Sequence, residues 1–308
     1  MTVLFTHPSS LDHATPEGHP ERAARIEAIL KSLAAFDTLN RRDAPEVTDA
    51  ALLRVHPQRH IDAITAASPA SGLAQLDADT WMSAGSLTAA RHAAGGAIAA
   101  VDEVLSNGGN AFVATRPPGH HAEKTTPMGF CLFGNVAAAA KHALDMHGLA
   151  RVAIVDFDVH HGNGTQDLLW DEERMLFISS HQMPLWPGTG DVDERGAHGN
   201  IMNVPLPPES GGAQMREAYK NKAFPALEAF RPDLLILSAG FDAHKDDPLA
   251  NLNWTTADFV WLTQALCDIA ARHCAGRIVS ILEGGYDLNA LAEAVAAHVN
   301  VLIEKEKR

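Results

Sequence analysis

Apolar runs recur along this chain at 2–6, 111–115, 151–157, 174–180, 200–205, 232–238 and 277–282, most of them continuous and rich in Val, Ile and Leu. Continuous apolarity is what a strand buried on both faces requires. Between several of these runs lie Ala-rich segments, 21–35, 84–105, 135–147, 212–230, 255–273 and 288–304, with apolar residues at three- and four-residue spacing. That is the period of a helix with one packed face. Alternation of the two predicts an α/β fold: one three-layer domain over 1–308, a mostly parallel sheet with helices on both faces. The segments 7–20, 66–83, 116–134, 181–199 and 240–254 read as loops rich in Pro, Gly, His and aromatics. Long loops in a compact domain are commonly functional, and these follow strands, so they are expected to wall a pocket at the sheet's carboxyl edge. The terminal Lys305-Glu306-Lys307-Arg308 reads as a frayed tail,.

Three of the predicted strands run directly into charge. The first passes Val152–Val155 and delivers Asp156, Asp158, His160 and His161 before Gly162-Asn163-Gly164. In an extended backbone Asp158 and His160, two residues apart, point the same way and can share one ion, with Asp156 starting that face. Residues 232–244 end in Asp242, which offers a third ligand, and residues 111–122 end in Pro117-Pro118-Gly119 and the tandem His120-His121. An isolated Asp-x-His step is more often a polar loop end. Three strands converging on Asp, His, Asp and a histidine pair follow the rule that open α/β sheets bind ligands at their carboxyl ends. Two carboxylates and one imidazole suit a catalytic zinc that keeps an open position, and such an oxygen-rich set also admits iron or cobalt.

Bulk properties narrow the class. Apolar residues make up 46% and charged residues 20% of the 308, an ordinary globular balance. No apolar run reaches membrane-spanning length and the first residues lack the regions of a secretory signal, so a cytoplasmic protein without a membrane partner is expected. Cys131, Cys267 and Cys274 show no paired spacing, which supports neither a disulfide framework nor a thiolate zinc site. The formal net charge of −14 argues against nucleic acid and suits a cationic substrate such as a lysine-bearing peptide or a polyamine.

Four motifs in this order, Arg116-Pro117-Pro118-Gly119-His120-His121, Asp156-x-Asp158-x-His160-His161-Gly162-Asn163-Gly164, Gly240-Phe241-Asp242-Ala243-His244 and Glu283-Gly284-Gly285-Tyr286, resemble the zinc-dependent histone deacetylases. The likeness begins at His19-Pro20-Glu21. It is to the class II-like branch with its bacterial acetylpolyamine and acetoin-utilisation relatives, since Asn163 stands where class I members carry Asp and Glu283 precedes the double glycine. The resemblance implies an amidohydrolase with one zinc on Asp158, His160 and Asp242. It makes His121 the general base and acid, with His120 beside it, Asp156 orienting His120, and Asn163 holding His121. A neutral amide there leaves His121 easier to deprotonate than an aspartate would. Tyr286 becomes the oxyanion donor.

Further expectations follow from the same likeness. Phe130, after Gly129, and Trp186 grip a lysine stem, Trp186 replacing the usual phenylalanine and narrowing the tunnel. Arg25 holds released acetate at the base of the site. A potassium ion is enclosed by the backbone of Asp156, Asp158 and His160 with Ser179 and Ser180. Leu249, after Asp247-Pro248, stands where polyamine-selective relatives carry glutamate. The expected substrate is an acetylated lysine in a peptide or protein. The alternatives are an acetylated polyamine or another small acyl amide, and a module that binds acetyl-lysine without cleaving it. His161 and His244 lie beside ligands without an assigned role, and the remaining histidines read as surface or structural.

Overall fold

The computed structural model describes residues 1–306. Its ten strands are β1 (Val3–Thr6), β2 (Asn40–Asp43), β3 (Leu73–Gln75), β4 (Trp81–Ser83), β5 (Asn110–Val113), β6 (Val152–Asp156), β7 (Met175–Gln182), β8 (Ile201–Leu206), β9 (Leu234–Ala239) and β10 (Ile278–Leu282). Eight form one sheet in the order β2-β1-β5-β10-β9-β6-β7-β8. Every pairing in it is parallel, so each connection crosses over one face and the faces are covered. β6, β9 and β10 are buried at every residue, as their unbroken apolar runs require. Ala153, Val155, Leu235 and Leu237 point into one core with the helices Ala24–Leu33, Thr256–His273 and Leu288–Glu306. Val152, Ile154, Leu234 and Ile236 point into the other, beneath Ser86–Asn107 and Asn135–Met146. At roughly 1.5–3 kcal/mol per buried aliphatic side chain, both sets pin the register, because a one-residue slip would exchange the two faces.

The differences from expectation lie where pattern is weak. β2, Asn-Arg-Arg-Asp, has no apolar residue and is mostly exposed; it is an edge strand held by its pairing with β1. The segment 66–83 is not all loop, since β3 and β4 form an antiparallel hairpin there. Short helices at Asp49–Leu52 and Asn163–Leu168 lack the length for a readable period, while Gln58–Ala67, also unexpected, buries only Ile61 and Ile64 beside His60. The helix expected over 212–230 is interrupted by a π turn at Tyr219–Ala223, where the Tyr219 hydroxyl meets Ser180 Oγ at 2.7 Å. The expected frayed tail is a correction: the last helix runs to Glu306, Lys305 pairs with Asp268, and Glu306 pairs with the amino terminus and with Thr2. Lys307 and Arg308 lie outside the described residues.

Candidate active site

The four chain segments that leave β5, β6, β9 and β10 meet because those strands are neighbours in the sheet. Asp158 and His160 come from the end of β6, Asp242 from the end of β9, and their donor atoms lie within 4.8 Å of one another. His160 Nδ1 is 3.1 Å from Asp158 Oδ1 and 3.2 Å from Asp242 Oδ2. Donor atoms arranged tetrahedrally at zinc–ligand distances of 2.0–2.1 Å stand about 3.3 Å apart, so the two edges that run from His160 match those of a zinc site. The backbone holds it there. Asp158 Oδ2 accepts the Gly284 amide at 2.8 Å and Asp242 Oδ1 accepts the Val159 amide at 2.8 Å. Gly284 has no alternative residue at this spot, because a Cβ would overlap the carboxylates of Asp242 and Asp158.

Electrostatics favour a cation. Burial pushes the Asp242 carboxyl up to about 7, and the neighbouring Asp158 adds to it. Burial would lower His160, yet its contacts with Asp158 and Asp242 draw it up to about 10. Carboxylates that raise a buried imidazole this far favour positive charge between them. The donor set therefore fits a divalent zinc-like ion.

The histidine pair arrives on the loop after β5. Glu283 Oε2 accepts the Gly119 amide at 2.7 Å and the His120 amide at 3.2 Å, which fixes the pair's backbone. His120 Nδ1 lies 3.0 Å from Asp156 Oδ2. Although burial opposes it, the negative field of Asp158, Asp156 and Glu283 raises His120 well above the ordinary histidine range. His121 goes the other way: burial, then the fields of His120 and His160, lower it well below that range. Its Nδ1 is 2.8 Å from Asn163 Oδ1, and the Asn163 amide nitrogen in turn donates to Glu123 at 2.9 Å. Glu123 accepts only, so the network orients the Asn163 carbonyl toward His121, assigns the proton to His121 Nδ1 and leaves Nε2 as the basic nitrogen. Environment alone thus drives two adjacent histidines in opposite directions,.

A cavity of about 220 Å³ reaches this centre and is lined by Pro20, Asp79, His121, Gly129, Phe130, His160, Leu185, Trp186, Leu249 and Tyr286. Phe130 stands against Tyr286, ring centroids 5.9 Å apart, and Trp186 stands edge-on to His121 at 4.7 Å. Gly129, at φ +56°, leaves room for both His121 and Trp186. The structure thus brings Asp156, Asp158, His160, Asp242, His120, His121, Asn163, Tyr286, Gly129, Phe130, Trp186 and Leu249 to one place. Arg25 is at the edge of the group. It does not line the cavity; its guanidinium lies 4.9 Å from the Tyr286 ring and donates to Gly285 O, Glu283 O and Glu21. Ser179 pairs beside Asp156 in the ladder, but its hydroxyl meets His181 Nδ1 and that of Ser180 meets Tyr219.

Sequence reasoning did not single out Glu123, Asp79 or Asp247. Asp247 accepts the Tyr286 amide at 2.7 Å and the Leu249 amide at 3.0 Å, tying the tyrosine to the cavity rim. Its only sequence signal was its place in Asp246-Asp247-Pro248-Leu249. The isolated Glu123 gave none.

Compared with known proteins, residues 19–302 match the histone deacetylase domain family. The chain is 36% identical to histone deacetylase 14, chloroplastic, of Arabidopsis thaliana, over 99% of this chain and 77% of that protein. It is 40% identical to the histone deacetylase-like amidohydrolase of Pseudomonas aeruginosa, over 91% of this chain and 74% of the relative. Among solved structures it resembles the HDA15 HD domain with a TM-score of 0.93 and 36% identity, covering 98% of this chain and 88% of that one.

Proposed function

We propose a function on the premise that this chain belongs to the histone deacetylase family, whose domain match spans 284 of its residues, from 19 through 302: it hydrolyses the acetyl amide of a lysine ε-amine at a site holding one zinc ion. One observation carries the reading. An Asp158–His160–Asp242 trio with its donors gathered within 4.8 Å opens, through His160, on a cavity whose walls present one basic imidazole, His121, and one phenol, Tyr286. Bound there, zinc supplies Lewis-acid activation of water and of the acyl carbonyl.

The chain's own groups do the rest. His121 Nε2 takes a proton from the attacking water, and because its pKa is held low it is neutral and ready at physiological pH,. The same nitrogen returns the proton to the departing amine, aided by negative charge developing on the tetrahedral intermediate. Tyr286, whose burial keeps its hydroxyl protonated, donates to that developing oxyanion. His120 stays protonated and holds its positive charge beside His121. The aliphatic stem of lysine fits between Phe130 and Trp186, where apolar rings exclude water along its length. Potassium finds less support, since the Ser179 and Ser180 hydroxyls already have partners. No step is assigned to it.

An acetylated polyamine is the second reading, and Asp79 is the observation that favours it. A carboxylate on the cavity wall offers a partner to a distal ammonium. Leu249, on the same wall, offers none. The test is turnover of a fluorogenic acetyl-lysine peptide beside N8-acetylspermidine, with chelator and with zinc restored. Peptide turnover that chelator abolishes and zinc restores is expected. Preference for the polyamine moves the assignment to the second reading, and turnover of neither by metal-replete protein overturns the hydrolase reading.

A further inference from the structure

On the solvent-facing surface of two neighbouring helices, Asp102, His142 and His147 form a second trio whose donor atoms lie within 4.8 Å of one another. The local sequence explains how they meet. The helices Ser86–Asn107 and Asn135–Met146 pack through small side chains, among them Ala97, Ala100, Ala139 and Ala143, so their backbones approach closely and a short aspartate on one reaches imidazoles on the other. His147 follows the end of the second helix, where Gly148 takes φ +66° and the Leu149 amide donates to Ala143 O at 3.3 Å. The chain leaves the helix just after His147, whose ring stands 5.3 Å from that of His142.

We propose that Asp102, His142 and His147 bind one divalent transition-metal ion. Both imidazoles present Nε2 to the same oxygen, Asp102 Oδ1, at 2.6 Å. Two imidazoles and one carboxylate are a set for zinc, cobalt, nickel or copper, and a poor one for magnesium or calcium, which take oxygen ligands. The imidazoles are pinned, with side chains 13% and 28% exposed, while Asp102 at 51% faces solvent. A cavity of about 220 Å³ bordered by Asp102 and His142 leaves space for the ion's remaining ligands. Outer support is thin. His142 Nδ1 is buried without a partner, and loss of such a partner lowers metal affinity by roughly 10–100-fold. The site is therefore a labile one that clips the two helices together when filled.

The experiment titrates tag-free, metal-free protein with Co²⁺ and follows bound metal by equilibrium dialysis and visible absorption up to saturation. Wild type holds two equivalents, and the His142→Ala/His147→Ala double variant holds one while keeping its deacetylation rate. Asp102→Asn, nearly isosteric, also loses the second equivalent, and metal-free thermal melting of each variant verifies folding. Asp242→Ala retains one equivalent, with the absorption of the site the double variant lacks. Equal stoichiometry in wild type and the double variant overturns the proposal. Two equivalents in Asp242→Ala would instead count against the active-site ligand set, so the two failures are distinguishable.

Discussion

Asp158, His160 and Asp242 meet at the ends of two central strands, whereas Asp102, His142 and His147 meet on the outside of two helices, and both trios gather their donors within 4.8 Å. Residue types are nearly the same. What differs is how the donors are held and what surrounds them. In the strand-end trio each carboxylate accepts a main-chain amide, from Gly284 or Val159, so ligand positions are fixed by the fold before any ion arrives. In the helical trio Asp102 rests on the two imidazoles alone and half of its side chain faces solvent. Burial separates them further: the inner carboxylates lift His160 to about 10, whereas solvent screens the charge of the half-exposed Asp102,. Preorganisation and a water-poor setting are what turn a metal clip into a catalytic centre.

The hardest break in this contrast is Asp242→Ala. Removing one of three inner ligands should drop turnover by more than the roughly 10–100-fold cost of losing an outer partner and should abolish high-affinity zinc binding. Turnover and metal content measured together decide it; a fully metallated, active variant would remove Asp242 from the ligand set. Tyr286→Phe sharpens the contrast from the substrate side. It should retain one zinc equivalent at the centre while lowering kcat by about 10²–10³, the effect of deleting one oxyanion donor. An unchanged kcat would pass that role to another group.

A third histidine separates burial from charge. His298 is buried, as His160 is, but its ring meets hydroxyls, Thr263 Oγ1 at 2.8 Å and Ser280 Oγ at 2.9 Å, and no carboxylate. Burial alone lowers it to about 3. Its folded pKa lies below the unfolded value near 6.5, so the unfolded chain binds the extra proton. This stability is complete above about pH 6.5 and is lost as pH falls toward about 3, amounting to about 2 kcal/mol between pH 7 and pH 5. In His298→Gln the pH dependence of the denaturation midpoint over that range should be shallower by that amount. An unchanged slope would place the titration elsewhere.

These contrasts mark what a sequence discloses. Unbroken apolar runs such as Val152–Val155 and Leu234–Leu237 announced the central strands, because a strand buried on both faces has no other way to be written,. The Asp158-x-His160 step announced its shared face through the two-residue period of a strand. β2 stayed silent: Asn-Arg-Arg-Asp pairs through main-chain groups that any side chain permits. Glu123 was equally silent, since it joins Asn163 across 40 positions and only the folded loop brings them together. His142 and His147 read as surface or structural residues, because their partner Asp102 belongs to another helix.

The smallest expected effect is at the cavity mouth, where a carboxylate can be added rather than removed. Leu249 lines the cavity, is only partly buried, and has its backbone amide fixed by Asp247. Leu249→Glu would place a negative charge where the distal ammonium of an acetylated polyamine arrives, while an acetyl-lysine peptide presents no second cation there. Solvent at the rim screens the new charge, unlike those of Asp158 and Asp242, so its value is that of a partly exposed ion pair. The ratio of kcat/KM for N8-acetylspermidine to that for an acetyl-lysine peptide should rise by about fivefold, or about 1 kcal/mol. Asp79 already stands on the same wall, and if it serves the distal cation in the wild type, the ratio will begin high and Leu249→Glu will add little. Asp79→Asn then resolves the matter: it should leave the wild-type ratio nearly unchanged if the lysine reading holds, and lower it if the cavity is built for a diamine.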